Sequence, residues 1–139
     1  MFKGKSDQAT ASENSLYISI GGEATARAIA NEFYDIMERD PMVTELLAVH
    51  PQPMDRIREV FSLYLMMWLG GPDTYSKQRG HPRLRARHLP FTVTPKLKEQ
   101  WMYCMRKALA KHVDNIAVVN RISLALDQLA DHMVNTEDK

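Results

Sequence analysis

Apolar residues recur at intervals of three and four along most of this chain, and that spacing is the strongest constraint on its fold. The intervals predict four long amphipathic helices, over residues 23–39, 55–69, 95–113 and 116–134. No stretch alternates between apolar and polar residues over a useful length, and the sequence has no internal repeat. The chain is therefore expected to be all-α, with short connectors between the long helices.

Glycine and proline residues separate the predicted helices, because glycine reaches backbone angles that other residues avoid and proline interrupts helical hydrogen bonding. Asp55 and Thr94 are candidate N-caps, and Pro95 suits the first turn of the helix that Thr94 begins. The breaks lie at residues 21–22, 40–41, 50–53 and 70–72. Shorter helices are predicted at residues 16–20, 43–49 and 84–89. Residues 70–83 are expected to form an ordered loop or a weak helical turn.

The length and the apolar content indicate one domain with one core. The chain has 139 residues, and its apolar share of 45% is ordinary for a globular protein. Residues 1–15 are polar, small and without periodicity, so a flexible N-terminal extension is expected there. The domain is predicted to span residues 16–134, and residues 135–139 are expected to form a polar tail.

The charge balance and the cysteine content exclude several classes of partner and site. There are 18 Lys and Arg residues against 17 Asp and Glu, and a net charge of +1 provides no field for gathering nucleic acid. The longest strongly apolar stretch, residues 60–69, is much shorter than the ~20 residues of a membrane-spanning helix. Cys104 is the single cysteine, so no internal disulfide forms, and no secretory signal is evident. A cytoplasmic protein without a membrane span is expected.

The segment RGHPRLRARHLPF, residues 79–91, is the first candidate for chemistry. His81 lies between glycine and proline and is expected in a loop. His88 ends a short predicted helix, with Leu84, Leu89 and Phe91 near it. From these residues alone, a structural histidine in a basic connector and a metal-binding histidine both remain open.

Polar aromatic residues on apolar helix faces are the second candidate feature. Tyr34 lies beside Phe33 in the first long helix, and Trp101 lies on the apolar face of the third. A buried hydroxyl or indole N–H needs a partner, which ordinary core packing can supply. His50 lies in a proline loop, where an exposed side chain is favoured over a functional role when the residue is taken in isolation. The sequence contains no zinc-binding spacing, phosphate-binding loop or dinucleotide-binding glycine motif.

Four segments together resemble the group II truncated haemoglobins. WLGGPDTYSKQRGHPRLRARHLPF, residues 68–91, is similar to the family's stretch through its proximal helix, and EQWMYCM, residues 99–105, is similar to its tryptophan-bearing helix. ISIGGEATARAIANEFYDIM, residues 18–37, resembles the family's opening helices, and VHP, residues 49–51, resembles the start of its distal loop. The resemblance covers about residues 16–134.

This resemblance implies a two-over-two helical sandwich that encloses haem b, with His88 as the axial ligand of the iron. It places Tyr34, His50 and Trp101 opposite His88, where their side chains face a small ligand. The chemistry agrees, because globin iron takes a neutral imidazole and arginine pairs well with a propionate. The implied cofactor contacts besides His88 are Arg87, Arg85, Phe61, Ile57, Tyr75 and Phe91.

The resemblance implies a protein that binds O₂, NO, CO or peroxide, but it leaves the function class open. One alternative is an O₂ carrier or store, and the other is an enzyme, either an NO dioxygenase or a peroxidase-like catalyst. An enzyme would need a separate electron donor, because the chain contains no reductase domain. A haem-free helical interaction module is the weaker third possibility. A monomer or a weak homodimer is expected.

Overall fold

The computed structural model describes residues 15–89 and 91–138, and every regular element in these ranges is helical. The all-α prediction is confirmed. The predicted N-terminal extension, apart from Ser15, lies outside the described residues. The helices are α1 (Leu16–Ile20), α2 (Gly22–Arg39), α3 (Thr44–Ala48), α4 (Asp55–Trp68), α5 (Thr74–Arg79), α6 (Leu84–His88), α7 (Pro95–His112) and α8 (Ile116–Asp131), with a 3₁₀ turn at Pro41–Val43 before α3.

Side chains and glycines at the helix ends account for several of these boundaries. Thr94 caps α7 as predicted, because its hydroxyl accepts a hydrogen bond of 3.1 Å from the Leu97 amide. The prediction for Asp55 is wrong: Met54 occupies the N-cap position without a side-chain bond, and Asp55 begins the helix. Its carboxylate still lies at the positive end of the helix dipole. The last helix ends at Asp131, three residues earlier than the spacing predicted.

The four long helices form two layers. α2 packs against α4 in one layer, α7 packs against α8 in the other, and α2 also packs against α7 between the layers. Their shared core contains fully buried Phe33, Met37, Met105 and Ile122. This arrangement is the two-over-two sandwich that the sequence predicted.

Ion pairs tie the helices of each layer together at their polar edges. In one layer the Arg58 guanidinium of α4 lies 2.8 Å from Asp35 and 2.9 Å from Glu38 of α2. In the other, the Lys98 ammonium of α7 lies 2.9 Å from Asp127 of α8. The contacts join elements distant in sequence, so they support the layer pairing beyond what helix periodicity specifies.

Glycine allows α1 to lie directly on the end of α4. The Tyr17 amide donates to the Leu69 carbonyl at 2.9 Å, and a Cβ on Gly71 would come within 2.6 Å of the Tyr17 ring. A larger residue at position 71 would push the two elements apart. Within the described residues, no helix is both long and apolar enough to cross a membrane.

Candidate functional site

His88 lies at the end of α6, the short helix that precedes α7 in the chain, and its ring orientation is determined by a backbone bond. The Nδ1 atom lies 2.7 Å from the Leu84 carbonyl oxygen, which only accepts, so Nδ1 carries the proton and donates. In a neutral ring the lone pair is then on Nε2, the atom that an imidazole uses to bind a metal. Leu89 and Phe91 are 58% and 63% exposed beside it, an apolar surface without a protein cover.

An aromatic cluster from α2, α4 and α7 lies between the layers. The ring of Phe33 lies 4.8 Å from the ring of Tyr34, 5.3 Å from that of Phe61 and 5.3 Å from that of Trp101. Most of these pairs meet edge to face, the arrangement that aromatic quadrupoles favour. Three helices that are distant in sequence therefore bring together Tyr34, Phe61 and Trp101, as the resemblance predicted. Ile57, one turn before Phe61 on α4, is partly buried against the core.

Tyr34 places a polar atom inside this cluster. The side chain is 4% exposed, and its hydroxyl has no hydrogen-bond partner among residues 15–89 and 91–138. Burial raises the pKa of Tyr34, while the nearby Arg58 guanidinium lowers it by less. The phenol therefore stays protonated at neutral pH and is available to donate to a ligand.

His50 lies beside Tyr34, with the two ring centroids 6.0 Å apart. Its Nδ1 donates to the Leu46 carbonyl at 2.9 Å, so Nε2 of the neutral ring is an acceptor. Burial lowers the pKa of His50, and the hydrogen bond to the Leu46 carbonyl raises it by less, so the net shift favours the neutral ring. The geometry thus gives His50 an accepting role toward Tyr34 or a ligand, whereas the sequence predicted a third hydrogen-bond donor.

Trp101 supplies the second donor of the cluster. Its ring lies 6.2 Å from that of Phe61, and the side chain is partly exposed. The indole N–H has no acceptor among the described residues, and indole nitrogen donates only. Tyr34 and Trp101 are therefore the two groups that this part of the chain offers to a partly negative atom.

The predicted arginines lie near His88 and differ in how they are held. The Arg87 guanidinium donates to the Tyr75 hydroxyl at 3.3 Å and to the Arg79 carbonyl at 3.3 Å. Tyr75 is buried, and its ring lies 5.6 Å from that of Tyr64, so Arg87 is attached to the core through Tyr75. Arg85 is exposed, with one long contact of 3.5 Å to the His132 carbonyl.

His81 is exposed and accepts from the Arg83 amide, as expected of a loop residue.

These residues fit the chemistry of haem, which combines an iron atom, an apolar macrocycle and two propionates. His88 presents Nε2, exposed apolar side chains flank it, and two guanidiniums lie within three residues of it. Tyr34 and Trp101 carry polar hydrogens that the described part of the chain leaves without acceptors. Each of these groups gains a partner if haem and a small ligand bind between the layers.

The sequence predicted that the second ring nitrogen of His88 donates to a backbone carbonyl, but it did not identify the carbonyl or the equivalent bond of His50. His88 and His50 each donate to the carbonyl four residues earlier, at Leu84 and Leu46. The signal for both is present in the sequence, because a histidine in the last turn of a short helix, or just past its end, reaches the carbonyl one turn before it. Asn135, described below, has no such signal, because its partners lie more than forty residues away.

Comparisons with known proteins agree with this geometry. The bacterial-like globin family matches residues 15–135 of the chain. The group 2 truncated hemoglobin YjbI of Bacillus subtilis is 33% identical over 123 residues, which cover 88% of this chain and 89% of that protein.

Two solved structures extend the likeness to three dimensions. A cold-adapted truncated hemoglobin from the Antarctic marine bacterium Pseudoalteromonas haloplanktis TAC125 gives a TM-score of 0.87 at 50% identity, covering 88% of this chain and 99% of that one. The group II 2-on-2 hemoglobin of the plant pathogen Agrobacterium tumefaciens gives a TM-score of 0.86 at 35% identity, covering 91% of this chain and 98% of that one.

Proposed function

Because the chain belongs to the bacterial-like globin family, we propose that it binds haem b through His88 and retains a diatomic ligand, chiefly O₂, beside Tyr34 and Trp101. The observation that carries this proposal is the Nδ1 bond of His88 to Leu84 at 2.7 Å, which leaves Nε2 with its lone pair. When bound, haem supplies an iron atom that takes the diatomic ligand and exchanges electrons.

Other residues of the chain are proposed to contact the haem ring, its carboxylates and the bound ligand. Phe61, Ile57 and Phe91 offer apolar surface to a macrocycle, while Arg87, held by Tyr75, and Arg85 offer charge to its carboxylates. Tyr34 and Trp101 donate to a partly negative ligand atom, and the neutral His50 ring offers Nε2 as an acceptor beside them.

The test is reconstitution. The protein purified without haem is titrated with hemin, and its visible spectrum and a pyridine haemochrome assay establish the stoichiometry and the haem type. One haem b per chain supports the proposal. A protein that takes up no hemin contradicts the proposal and favours a haem-free interaction module. Equal uptake by wild type and His88→Ala contradicts the assignment of His88 as the ligand.

Retention with redox chemistry, such as NO or peroxide detoxification, is favoured over simple O₂ storage. The specific observation is that two donors, Tyr34 and Trp101, lie in one aromatic cluster without other acceptors in the described chain. Hydrogen bonds from both slow the release of O₂, which suits a redox catalyst better than a delivery protein. Consumption of NO by the oxygenated protein, measured by rapid mixing, tests this choice; O₂ release faster than NO consumption favours the store.

A redox role needs a separate electron donor, and the charge distribution indicates its chemistry. Between Asp73 and Glu99 the sequence contains seven Lys and Arg residues and no Asp or Glu, although the net charge of the whole chain is only +1. Four of the arginines, at 79, 83, 85 and 87, are exposed around His88. We propose that this basic segment, residues 74–98, receives an acidic donor.

A further inference from the structure

The C-terminal tail contacts the segment that follows His88. The Asn135 side chain accepts a hydrogen bond of 2.9 Å from the Val93 amide through Oδ1. Its Nδ2 donates to the Phe91 carbonyl at 2.9 Å and to the His88 carbonyl at 3.3 Å. One amide side chain therefore bonds three backbone groups of the connector between α6 and α7.

Backbone bonds support the same contact. The amides of Asn135 and Thr136 both donate to the Val93 carbonyl, at 2.9 and 3.1 Å. The Thr136 hydroxyl donates to Asn135 Oδ1 at 2.8 Å, which orients the amide so that Nδ2 points to the carbonyls. The tail and the connector thus pair in both directions along residues 88–93 and 135–136.

α6 needs such support because packing provides little of it. The helix has five residues, none of which is buried, and its N-cap Arg83 has φ of +46° without a side-chain cap bond. Leu84 packs partly against the core at its start, while Leu89 and Phe91 are exposed beyond its end. A short helix held at one end leaves the position of His88, at the other end, to the hydrogen bonds around it.

We propose that Asn135 is a positioning residue for His88, which holds the end of α6 against the C-terminal tail and so sets where the imidazole lies. The proposal rests on the proposed function, because it takes His88 as the axial ligand. Asn135 does not touch the ligand site itself; it acts through the backbone of His88, Phe91 and Val93. The C-terminal tail is then a part of the proximal side of the site.

Three substitutions separate the donor and acceptor roles of the amide. Asn135→Ala removes all three side-chain bonds to the connector. Asn135→Asp keeps the acceptor for the Val93 amide but directs carboxylate oxygen at two carbonyls, so it is expected to be the more disruptive change. Asn135→Gln keeps both functions on a longer stem and is expected to restore part of the wild-type behaviour.

Asn115→Ala is the matched control. Asn115 caps α8 and also bonds two backbone amides, those of Ala117 and Val118, at 3.0 and 3.3 Å. Its loss costs stability through a helix N-cap at the other end of α8, away from the tail. A general loss of stability therefore appears in the Asn115 variant as well, whereas a change in the position of His88 does not.

Two readouts test the proposal. In the haem-free protein, hydrogen exchange of the Val93 amide reports directly on the hydrogen bond that this amide donates to Asn135. In the ferrous haem protein without external ligand, the iron–histidine stretching band in resonance Raman reports the imidazole geometry. We expect faster Val93 exchange and a shifted, broadened band in Asn135→Asp and Asn135→Ala, with hemin transfer to excess apomyoglobin accelerated about tenfold.

The outcomes are distinct. Wild-type exchange and an unchanged band in Asn135→Asp overturn the proposal, as do equal band shifts in Asn135→Ala and Asn115→Ala. If the wild-type protein takes up no hemin, the proposed function fails and His88 positioning for iron fails with it, while Val93 exchange still shows whether Asn135 holds the connector. An altered band with intact stability in the Asn135 variants supports the proposal.

Discussion

The two sides of the site are built by different means. The side with Tyr34, Phe61 and Trp101 belongs to long helices and is held by aromatic packing, with ring centroids about 5 to 6 Å apart. The side with His88 belongs to a five-residue helix without a buried residue and is held by the hydrogen bond that His88 donates to Leu84 and by one that Asn135 donates to His88. We call these the packed side and the tethered side.

The difference teaches which property each side controls. On the packed side a donor cannot leave its place without opening the core, so its substitution changes how a ligand is held while the fold remains. On the tethered side, individually modest hydrogen bonds hold the element that carries the proposed metal ligand, His88. Substitutions there are expected to change cofactor retention first.

Removal of the metal ligand should produce the largest effect. His88→Ala is expected to accelerate hemin loss by more than about a hundredfold, since even outer-shell partners of a metal ligand cost 10- to 100-fold when removed. His81→Ala is the matched control seven residues earlier, in an exposed loop, and should leave the spectrum near normal. Hemin transfer to excess apomyoglobin measures both rates. The reverse ranking of the two variants would show that the ligand has been assigned to the wrong histidine.

On the packed side, Trp101→Phe should accelerate O₂ release about tenfold or more. A hydrogen bond to a partly charged acceptor contributes roughly 1.5–3 kcal/mol, and about 1.4 kcal/mol is tenfold in rate. Tyr34→Phe should have a smaller effect, because Trp101 and the neighbouring His50 ring, 6.0 Å from the Tyr34 ring, can rearrange toward the ligand once the hydroxyl is gone. The contributions need not add, since both donors share one acceptor.

Stopped-flow displacement of O₂ from wild type and from each variant measures these rates, and retained haem in both variants is the internal control. Release from Trp101→Phe at the wild-type rate would refute the donor argument and favour an O₂ store. Loss of haem from Trp101→Phe, with retention in His88→Ala, would invert the contrast between the two sides.

The ferric protein should be partly six-coordinate, with His50 as the internal ligand or as the holder of a water molecule. Burial raises the pKa of Tyr34, which disfavours tyrosinate, and lowers that of His50, which leaves Nε2 free. Resonance Raman of the ferric state should therefore change more in His50→Ala than in Tyr34→Phe. Spectra insensitive to both substitutions would exclude an internal ligand.

The pH dependence follows from the same burial. The pKa of His50 in the folded protein is below the ordinary value of 6.5, so the unfolded chain takes up the proton first as pH falls. The stability that neutral His50 contributes is complete above about pH 6.5 and decreases as pH falls toward the folded pKa. Thermal unfolding at pH 7 and pH 5 should show a smaller acid-induced decrease in Tm for His50→Ala than for wild type.

Sequence reasoning was more successful on the packed side than on the tethered side. Helix periodicity located α2, α4 and α7, and the bulky residues on their apolar faces necessarily met in the core. The tethered side depends on single hydrogen bonds between distant residues, such as Asn135 to Val93, which leave no periodic pattern. The helix α5 was uncertain for the same reason, since only Tyr75 of its six residues is buried. The sequence also predicted His50 as a donor, whereas the carbonyl that the fold places beside Nδ1 sets a tautomer whose Nε2 accepts.

The smallest predicted effect concerns the basic segment on the tethered side. If residues 74–98 bind an acidic donor, they should also attract anionic iron(II)-EDTA. The ferric haem protein should then be reduced by iron(II)-EDTA faster than by an uncharged reductant of equal reactivity, and added salt should slow that reaction. Cationic hexaammineruthenium(II) should show the opposite dependence on ionic strength, because screening removes a repulsion.

The double variant Lys77→Glu with Arg79→Glu tests whether this segment is responsible. Both residues are exposed, and neither is among the proposed cofactor contacts. One charge about 10 Å away contributes about 0.4 kcal/mol per unit charge of the reductant in water, and screening at about 0.1 M ionic strength reduces this roughly threefold. Reversing two charges changes the local charge by four units, so reduction by the doubly negative iron(II)-EDTA should slow about five- to tenfold at that ionic strength. Arg106→Glu with Arg121→Glu, on exposed positions of α7 and α8, changes the net charge equally outside the segment. Equal slowing in the two double variants would mean that net charge governs the rate and that the basic segment is no docking surface. If reduction slows only in the double variant Lys77→Glu with Arg79→Glu, and salt abolishes the slowing, then electrons enter on the tethered side.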